Sequence, residues 1–185
     1  HGFGVICERG RGVFDIESFK ACSSDLYLAT FGKSLGTYGA FVAAKSDLIE
    51  MLLQKSRSLI YTTALPAAVA AATSESLRVA KTEPWRREKL FELIDYFRVG
   101  AEQLGLPIQK SETPIQALIL GDNKEVLNLS DKLLAYNLLA IAIRPPTVPK
   151  NTARIRITLN ADHTKSHIDQ LLTALETSLA EIKKC

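Results

Sequence analysis

Lys33 lies in Thr30-Phe31-Gly32-Lys33-Ser34-Leu35-Gly36-Thr37-Tyr38-Gly39, a glycine-rich turn directly after the apolar run Leu26 to Thr30. An amine so placed can form a Schiff base with a carbonyl compound. Glycines 32, 36 and 39 let the backbone approach a bound group and adopt positive φ, while Thr30 and Ser34 offer hydroxyls to an anion. A pyridoxal phosphate pocket is often furnished this way. The competing reading of Gly32-Lys33-Ser34 is a nucleotide phosphate loop. That pattern needs glycine five residues before Gly32, where Tyr27 stands. A dinucleotide fingerprint fails similarly, since Gly2 and Gly4 are followed by Cys7 at the place of the third glycine. The plain alternative for Lys33 is an exposed lysine in a surface turn.

A second candidate set is basic. In Arg154-Ile155-Arg156-Ile157 the period-two alternation puts both arginines on the strand face opposite the isoleucines. Such a pair is commonly just solvated. The nearby Arg144-Pro145-Pro146-Thr147-Val148-Pro149 makes a stiff, extended loop that can hold Arg144 and Thr147 with little entropy left to lose. Arginine grips a carboxylate through two parallel hydrogen bonds. His163 and His167 sit four apart, but no third ligand completes a metal site, and the pair reads as the polar face of a helix start.

The elements that position these residues fall into two parts. In the first, Leu26 to Thr30 and Ala40 to Ala44 read as short buried strands. Ser46 is expected to cap a helix carrying Leu48, Ile49, Leu52 and Leu53. Leu59 to Thr63 reads as another strand, and Pro66 opens an alanine-rich helix suited to close packing. A long helix follows, signalled by Thr82 and Pro84, with Trp85 as a packing anchor, apolar positions from Leu90 to Leu104, and Gly105 as its stop. After Pro107 the pattern predicts strands over 115–120, 138–143 and 154–159 and helices over 124–136 and 164–183. The closing helix carries an apolar stripe from Ile168 to Ile182. The domain reading is 1–82 and 107–185, joined by an interdomain helix over 83–106.

The 185 residues are 46% hydrophobic and 23% charged, a globular composition. A net charge of +3 with no basic run argues against nucleic acid, and no apolar stretch or leader pattern points to a membrane, so the cytoplasm is the expected compartment. Cys7, Cys22 and Cys185 read as free thiols. The start at His1, without methionine, leads us to expect a fragment or processed product.

Taken together, several segments resemble the α-oxoamine synthases along nearly the whole chain. They are His1-Gly2-x-Gly4 with Arg9-Gly10-Arg11-Gly12, Thr30-Phe31-Gly32-Lys33, Ile60-Tyr61-Thr62-Thr63-x-Leu65-Pro66, the Ile143 to Pro149 loop, and Thr152-Ala153-Arg154-Ile155-Arg156. The resemblance implies an α/β fold. It would be the C-terminal part of a type I pyridoxal phosphate-dependent transferase (aspartate aminotransferase-like), a partial large domain plus a small α+β domain. It further implies pyridoxal 5'-phosphate as cofactor, Lys33 as the Schiff-base lysine that moves the substrate's α-proton, and His1 near the cofactor's phenolic oxygen. Thr30 would bind the phosphate, and Thr62 or Thr63 would reach that phosphate from the second subunit of a homodimer. Arg156 resembles the arginine holding the amino acid's carboxylate, with Thr147 lining the same pocket. A role for Arg144 with the acyl substrate's distal carboxylate follows from its charge alone.

Arg144-Pro145-Pro146 resembles the family member that condenses L-alanine with a pimeloyl thioester, of coenzyme A or acyl carrier protein, on the way to biotin. No coenzyme A residues are assigned. The alternatives are a glycine-using member of the family, or a non-catalytic dimerising remnant. The family's aspartate for the pyridine nitrogen and its ring-stacking histidine have no counterpart in the sequence. These 185 residues alone are therefore expected to be inactive and to expose apolar strand edges.

Overall fold

In the computed structural model, which describes residues 1–16, 20, 22 and 25–182, the chain forms two compact units, His1–Arg87 and Glu88–Cys185. The first unit is built on a hairpin. Strands β1 (Tyr27–Thr30) and β2 (Ala40–Ala43) pair antiparallel with Thr30 opposite Ala40, so residues 31–39 form the connecting turn. These strands are less buried than their composition suggests. Ala29 is buried, but Leu28 is 61% and Val42 41% exposed, because the ribbon has two strands and no further strand among the described residues flanks it. Its interior is aromatic instead: Phe41 meets Phe3 at 5.2 Å, Tyr27 at 5.8 Å and Phe31 at 5.5 Å between ring centroids.

Besides a short 3-10 turn over Gly12–Asp15, the described residues of this unit form α1 (Ser46–Lys55), α2 (Arg57–Ile60) and α3 (Ala67–Thr82). Ser46 is the first helical residue of α1, and Lys45 occupies the capping position without a side-chain bond. The strand expected over Leu59–Thr63 is a helical turn. The Ser56 carbonyl accepts from the Leu59 and Ile60 amides and the Arg57 carbonyl from Tyr61, since β preference is realised only where a partner strand exists. Thr82 ends α3 by donating its hydroxyl to the Arg78 carbonyl and caps nothing beyond. The alanine-rich face is not packed as expected. Ala67, Ala68, Ala70, Ala71 and Ala72 are exposed, and α3 turns Val69, Thr73, Ser76 and Ala80 inward, an i, i+4, i+7, i+11 stripe. Trp85 is half exposed, its ring covered by the Arg86 guanidinium at 4.6 Å.

Apart from Ala29 and Leu35, every buried apolar side chain among the described residues lies in the second unit. There α4 (Trp85–Gln103) contributes Leu90, Leu93, Ile94, Phe97 and Ala101. It is stopped at Gly105, whose φ of 61° lets the Leu106 amide reach back to the Ala101 carbonyl. A three-stranded antiparallel sheet follows, in the order β3 (Ile115–Gly121), β5 (Ala153–Thr158), β4 (Ile141–Ile143). Helices α5 (Asn123–Ala135) and α6 (Lys165–Ile182) supply Val126, Leu129, Leu133, Ile168, Leu171, Leu172, Leu175 and Leu179 to the same core. Strand β4 is shorter than predicted. Asn137 turns the chain at φ 60° and the Ala140 carbonyl accepts from the Ser130 hydroxyl, which takes residues 138–140 out of the ladder.

Candidate active site

The Lys33 turn is held from three sides. Along the hairpin, the Phe31 amide donates to Gly39 and the Thr37 amide to Phe31, while Gly36 closes on the Lys33 carbonyl. Gly36 and Gly39 take φ of 62° and 107°, as the sequence suggests. Gly32 does not take a positive φ, and a Cβ there would meet only the Thr37 carbonyl at an ordinary 3.6 Å. From the chain start, a loop folded by the pairs Gly4 to Gly10 and Gly12 to Ile6 lies against the turn. The Ser34 hydroxyl donates to the Phe3 carbonyl, and Gly4 sits so close that a Cβ would fall 2.5 Å from Ser34 Oγ. Ser34 is thereby engaged in the fold, not open to an anion as its hydroxyl alone suggested. From α3, the Ser76 hydroxyl donates to the Leu35 carbonyl at 2.7 Å. Buried Thr73 donates to the Val69 carbonyl and accepts from Thr37 Oγ1 at 2.9 Å. Sequence reasoning missed Thr73 and Ser76. The available signal was slight, since Thr73 and Ser76 stand three apart in a helix that also carries Ser74, Glu75, Arg78 and Lys81.

At the mouth of this turn His1 Nδ1 lies 3.0 Å from Thr30 Oγ1. If the imidazole donates that bond, the Thr30 hydroxyl keeps its own proton for an anion. Among the described residues the Lys33 side chain has no hydrogen-bond or ionic partner and is exposed. An unpartnered amine three residues after a threonine hydroxyl that is itself paired with an imidazole is a donor set that fits a phosphorylated aldehyde. Thr62 and Thr63 are both exposed, after α2, and make no hydrogen bond among the described residues.

The second unit separates the two strand arginines. Both lie on the sheet face away from the helices, Arg154 between Ile119 and Ile143 and Arg156 between Ala117 and Ile141. Arg154 is half buried, donating from Nε to the Thr152 carbonyl at 3.0 Å and from Nη1 to Gln109 Oε1 at 3.3 Å. Arg156 is exposed, with no partner among the described residues, beside the small side chain of Ala117. Arg144 and Thr147 are exposed on the proline loop, where the Thr147 amide closes a turn on the Arg144 carbonyl at 3.0 Å. The spare guanidinium is therefore Arg156, a distinction that alternation alone could not make.

His163 and His167 adjoin at the start of α6, ring centroids 6.0 Å apart. Each Nδ1 accepts a backbone amide, from Asn160 and Thr164, which places the ring proton on Nε2 and leaves no free lone pair for a metal. Burial, then His167, pushes the His163 pKa below the ordinary value, against the opposing pull of Asp162. No group of three potential metal ligands occurs among the described residues. Nor is any described helix long and apolar enough to cross a membrane. Cys7 is a free thiol, Cys22 Sγ donates to Asp25 Oδ1 at 3.0 Å, and Cys185 lies outside the described residues.

The model of the aminotransferase class I and II family matches residues 10–175. The chain is 48% identical over 182 residues to the 8-amino-7-oxononanoate synthase of Saccharophagus degradans, covering 98% of this chain and 46% of that relative. Among solved structures, a serine palmitoyltransferase from S. paucimobilis with a bound pyridoxal phosphate–myriocin aldimine superposes with a TM-score of 0.90 at 26% identity. It covers 100% of this chain and 47% of its own. The 8-amino-7-oxononanoate synthase of Francisella tularensis gives 0.86 at 27% identity, covering 98% and 53%. The chain thus spans about half the length of the curated relatives it matches. Its fold is that of part of a pyridoxal phosphate-dependent transferase, and it belongs to the aminotransferase class I and II family.

Proposed function

We propose that the protein carrying this chain is a pyridoxal 5'-phosphate-dependent acyltransferase. It condenses L-alanine with pimeloyl-coenzyme A or pimeloyl-acyl carrier protein to give 8-amino-7-oxononanoate, CO2 and the free thiol. The observation that carries the reading is the His1–Thr30 pair at 3.0 Å at the mouth of a turn whose Lys33 has no competing partner among the described residues. Thr30, His1 and Lys33 would hold the cofactor, with Thr62 or Thr63 contributing across a homodimer. When bound, the cofactor supplies the electron sink that makes the amino acid's α-carbon acidic.

The chain's own residues do the rest. Arg156 presents two parallel N–H donors to the amino acid's carboxylate and fixes its orientation. Lys33 Nζ takes the α-proton and returns a proton to the product carbon. Thr147 lines the amino acid pocket, and Arg144 answers the distal carboxylate of the pimeloyl group. The new bond joins alanine Cα to the thioester carbonyl as the carbon–sulfur bond breaks. Loss of the alanine carboxylate as CO2, with protonation of the same carbon, completes the exchange. The reaction belongs in the cytoplasm in this reading. The 185 residues by themselves do not turn over, since they lack a carboxylate for the pyridine nitrogen.

The test is borohydride reduction of the protein with pyridoxal phosphate, peptide mapping, and a panel of alanine, glycine and serine with one pimeloyl thioester. Expected are a phosphopyridoxyl group on Lys33 and preference for alanine. Labelling elsewhere overturns the site, and preference for glycine or serine overturns the substrate.

A further inference from the structure

The loop from Arg144 to Thr152 has few ladder bonds of its own, yet its C-terminal stem is fastened at three points. The Thr152 hydroxyl donates to the Pro149 carbonyl at 2.8 Å. The Asn151 carbonyl lies 3.2 Å from where a Cβ on Gly121 would stand, at the bulge where β3 shifts register against β5. Only glycine, here at φ 92°, leaves room for that approach. The third fastening is Arg154. Its Nε holds the Thr152 carbonyl, and its Nη1 reaches Gln109, whose backbone amide donates to the Ala117 carbonyl of β3.

We infer that Arg154 is a positioning residue. It ties the stem of the Arg144–Thr152 loop to the sheet through Thr152 and Gln109, and so presets Arg144 and Thr147 for the carboxylate-bearing substrates. This rests on the reading that Arg144 and Thr147 meet substrate. Two features make the guanidinium suited to the task. It serves two acceptors in different directions from a planar fork, which an ammonium does not reproduce. It also stands between Ile119 and Ile143, where a half-buried aliphatic stem adds packing to the polar contacts. A preset loop loses less entropy on binding, so its loosening appears first in KM.

The experiment compares Arg154→Gln, Arg154→Lys and Gln109→Ala in the holoenzyme, with amide hydrogen exchange over residues 145–153 as the readout beside KM and kcat. For Arg154→Gln, exchange in the loop is expected to quicken about tenfold, with KM for the acyl substrate rising by a similar factor and kcat changing less, as loss of charge-assisted bonds implies. Arg154→Lys recovers part of the loss. Gln109→Ala, which leaves Arg154 in place and guards against a misfolded Arg154 variant, shows a smaller change of the same kind. Unchanged loop exchange overturns the inference, as does a general loss of protection across residues 88–182. Faster exchange with unchanged KM also overturns it if Arg144→Ala raises KM. If Arg144→Ala leaves KM unchanged as well, the substrate reading is what has failed.

Discussion

Neither Lys33 nor Arg156 has an intramolecular partner among the described residues, a property they share with other exposed charges such as Lys45, Lys110 and Arg144. A group that binds ligand must have donors to spare, whereas Arg154, Arg78 and Arg86 all have theirs engaged. On the proposed function, Lys33→Ala in the protein carrying this chain is expected to lower kcat by about 10²–10⁴-fold, the range for losing a general base, while the fold is retained because Lys33 is exposed. Circular dichroism alongside the assay checks the second half. Arg156→Lys keeps the charge but loses the fork, and should raise KM for the amino acid about tenfold without a comparable change for the thioester.

Among the elements, α6 offers a pH-dependent test. In the folded chain His163 is held neutral by burial and by His167, so its pKa lies below the ordinary 6.5. The unfolded chain therefore binds this proton first, and stability is full above the unfolded value and falls as the pH drops through it toward the folded value. Urea midpoints of the second unit should decline from pH 7.5 to 5.5, and His163→Gln should flatten that slope. The other end of the second unit's first helix is set by Gly105. At φ 61°, with open space around it, Gly105→Ala meets strain and no clash, with an expected cost of about 1 kcal/mol by denaturant unfolding. At α5, Asp122 accepts from the Lys124 amide at 2.7 Å and the Glu125 amide at 3.1 Å. Asp122→Ala should cost about 1 kcal/mol as well.

For the whole molecule, the uneven core is the governing fact. The second unit buries Phe97, Leu118, Leu129, Leu133, Ile155 and Leu175 almost completely, while the first leaves Leu28, Met51, Leu59 and Tyr61 half or more exposed. Burial of apolar area is the main stabilising contribution, so the two units should not unfold together. Denaturation followed at Trp85 and by far-ultraviolet circular dichroism is expected to show the first unit lost earlier, with residues 88–185 cooperative on their own. A single coincident transition would contradict this.

Local pattern was enough for much of this protein. Periodicity located the helices of the second unit and the apolar stripe of α6, because a 3.6-residue repeat of leucines has one economical way to be buried. The turn around Lys33, the stop at Gly105 and the alternation that puts two arginines on one face were legible for the same reason: backbone sterics act within a few residues. Tertiary structure alone decided the rest. Leu59 to Tyr61 wound into a helical turn because strand character needs a neighbour. The alanines of α3 faced outward because Thr73 and Ser76 were turned toward the lysine turn. Arg154 and Arg156, identical to any sequence pattern, parted company because Gln109 and the Thr152 carbonyl stand beside only one of them, and proximity between residues forty-five apart is not written in either neighbourhood.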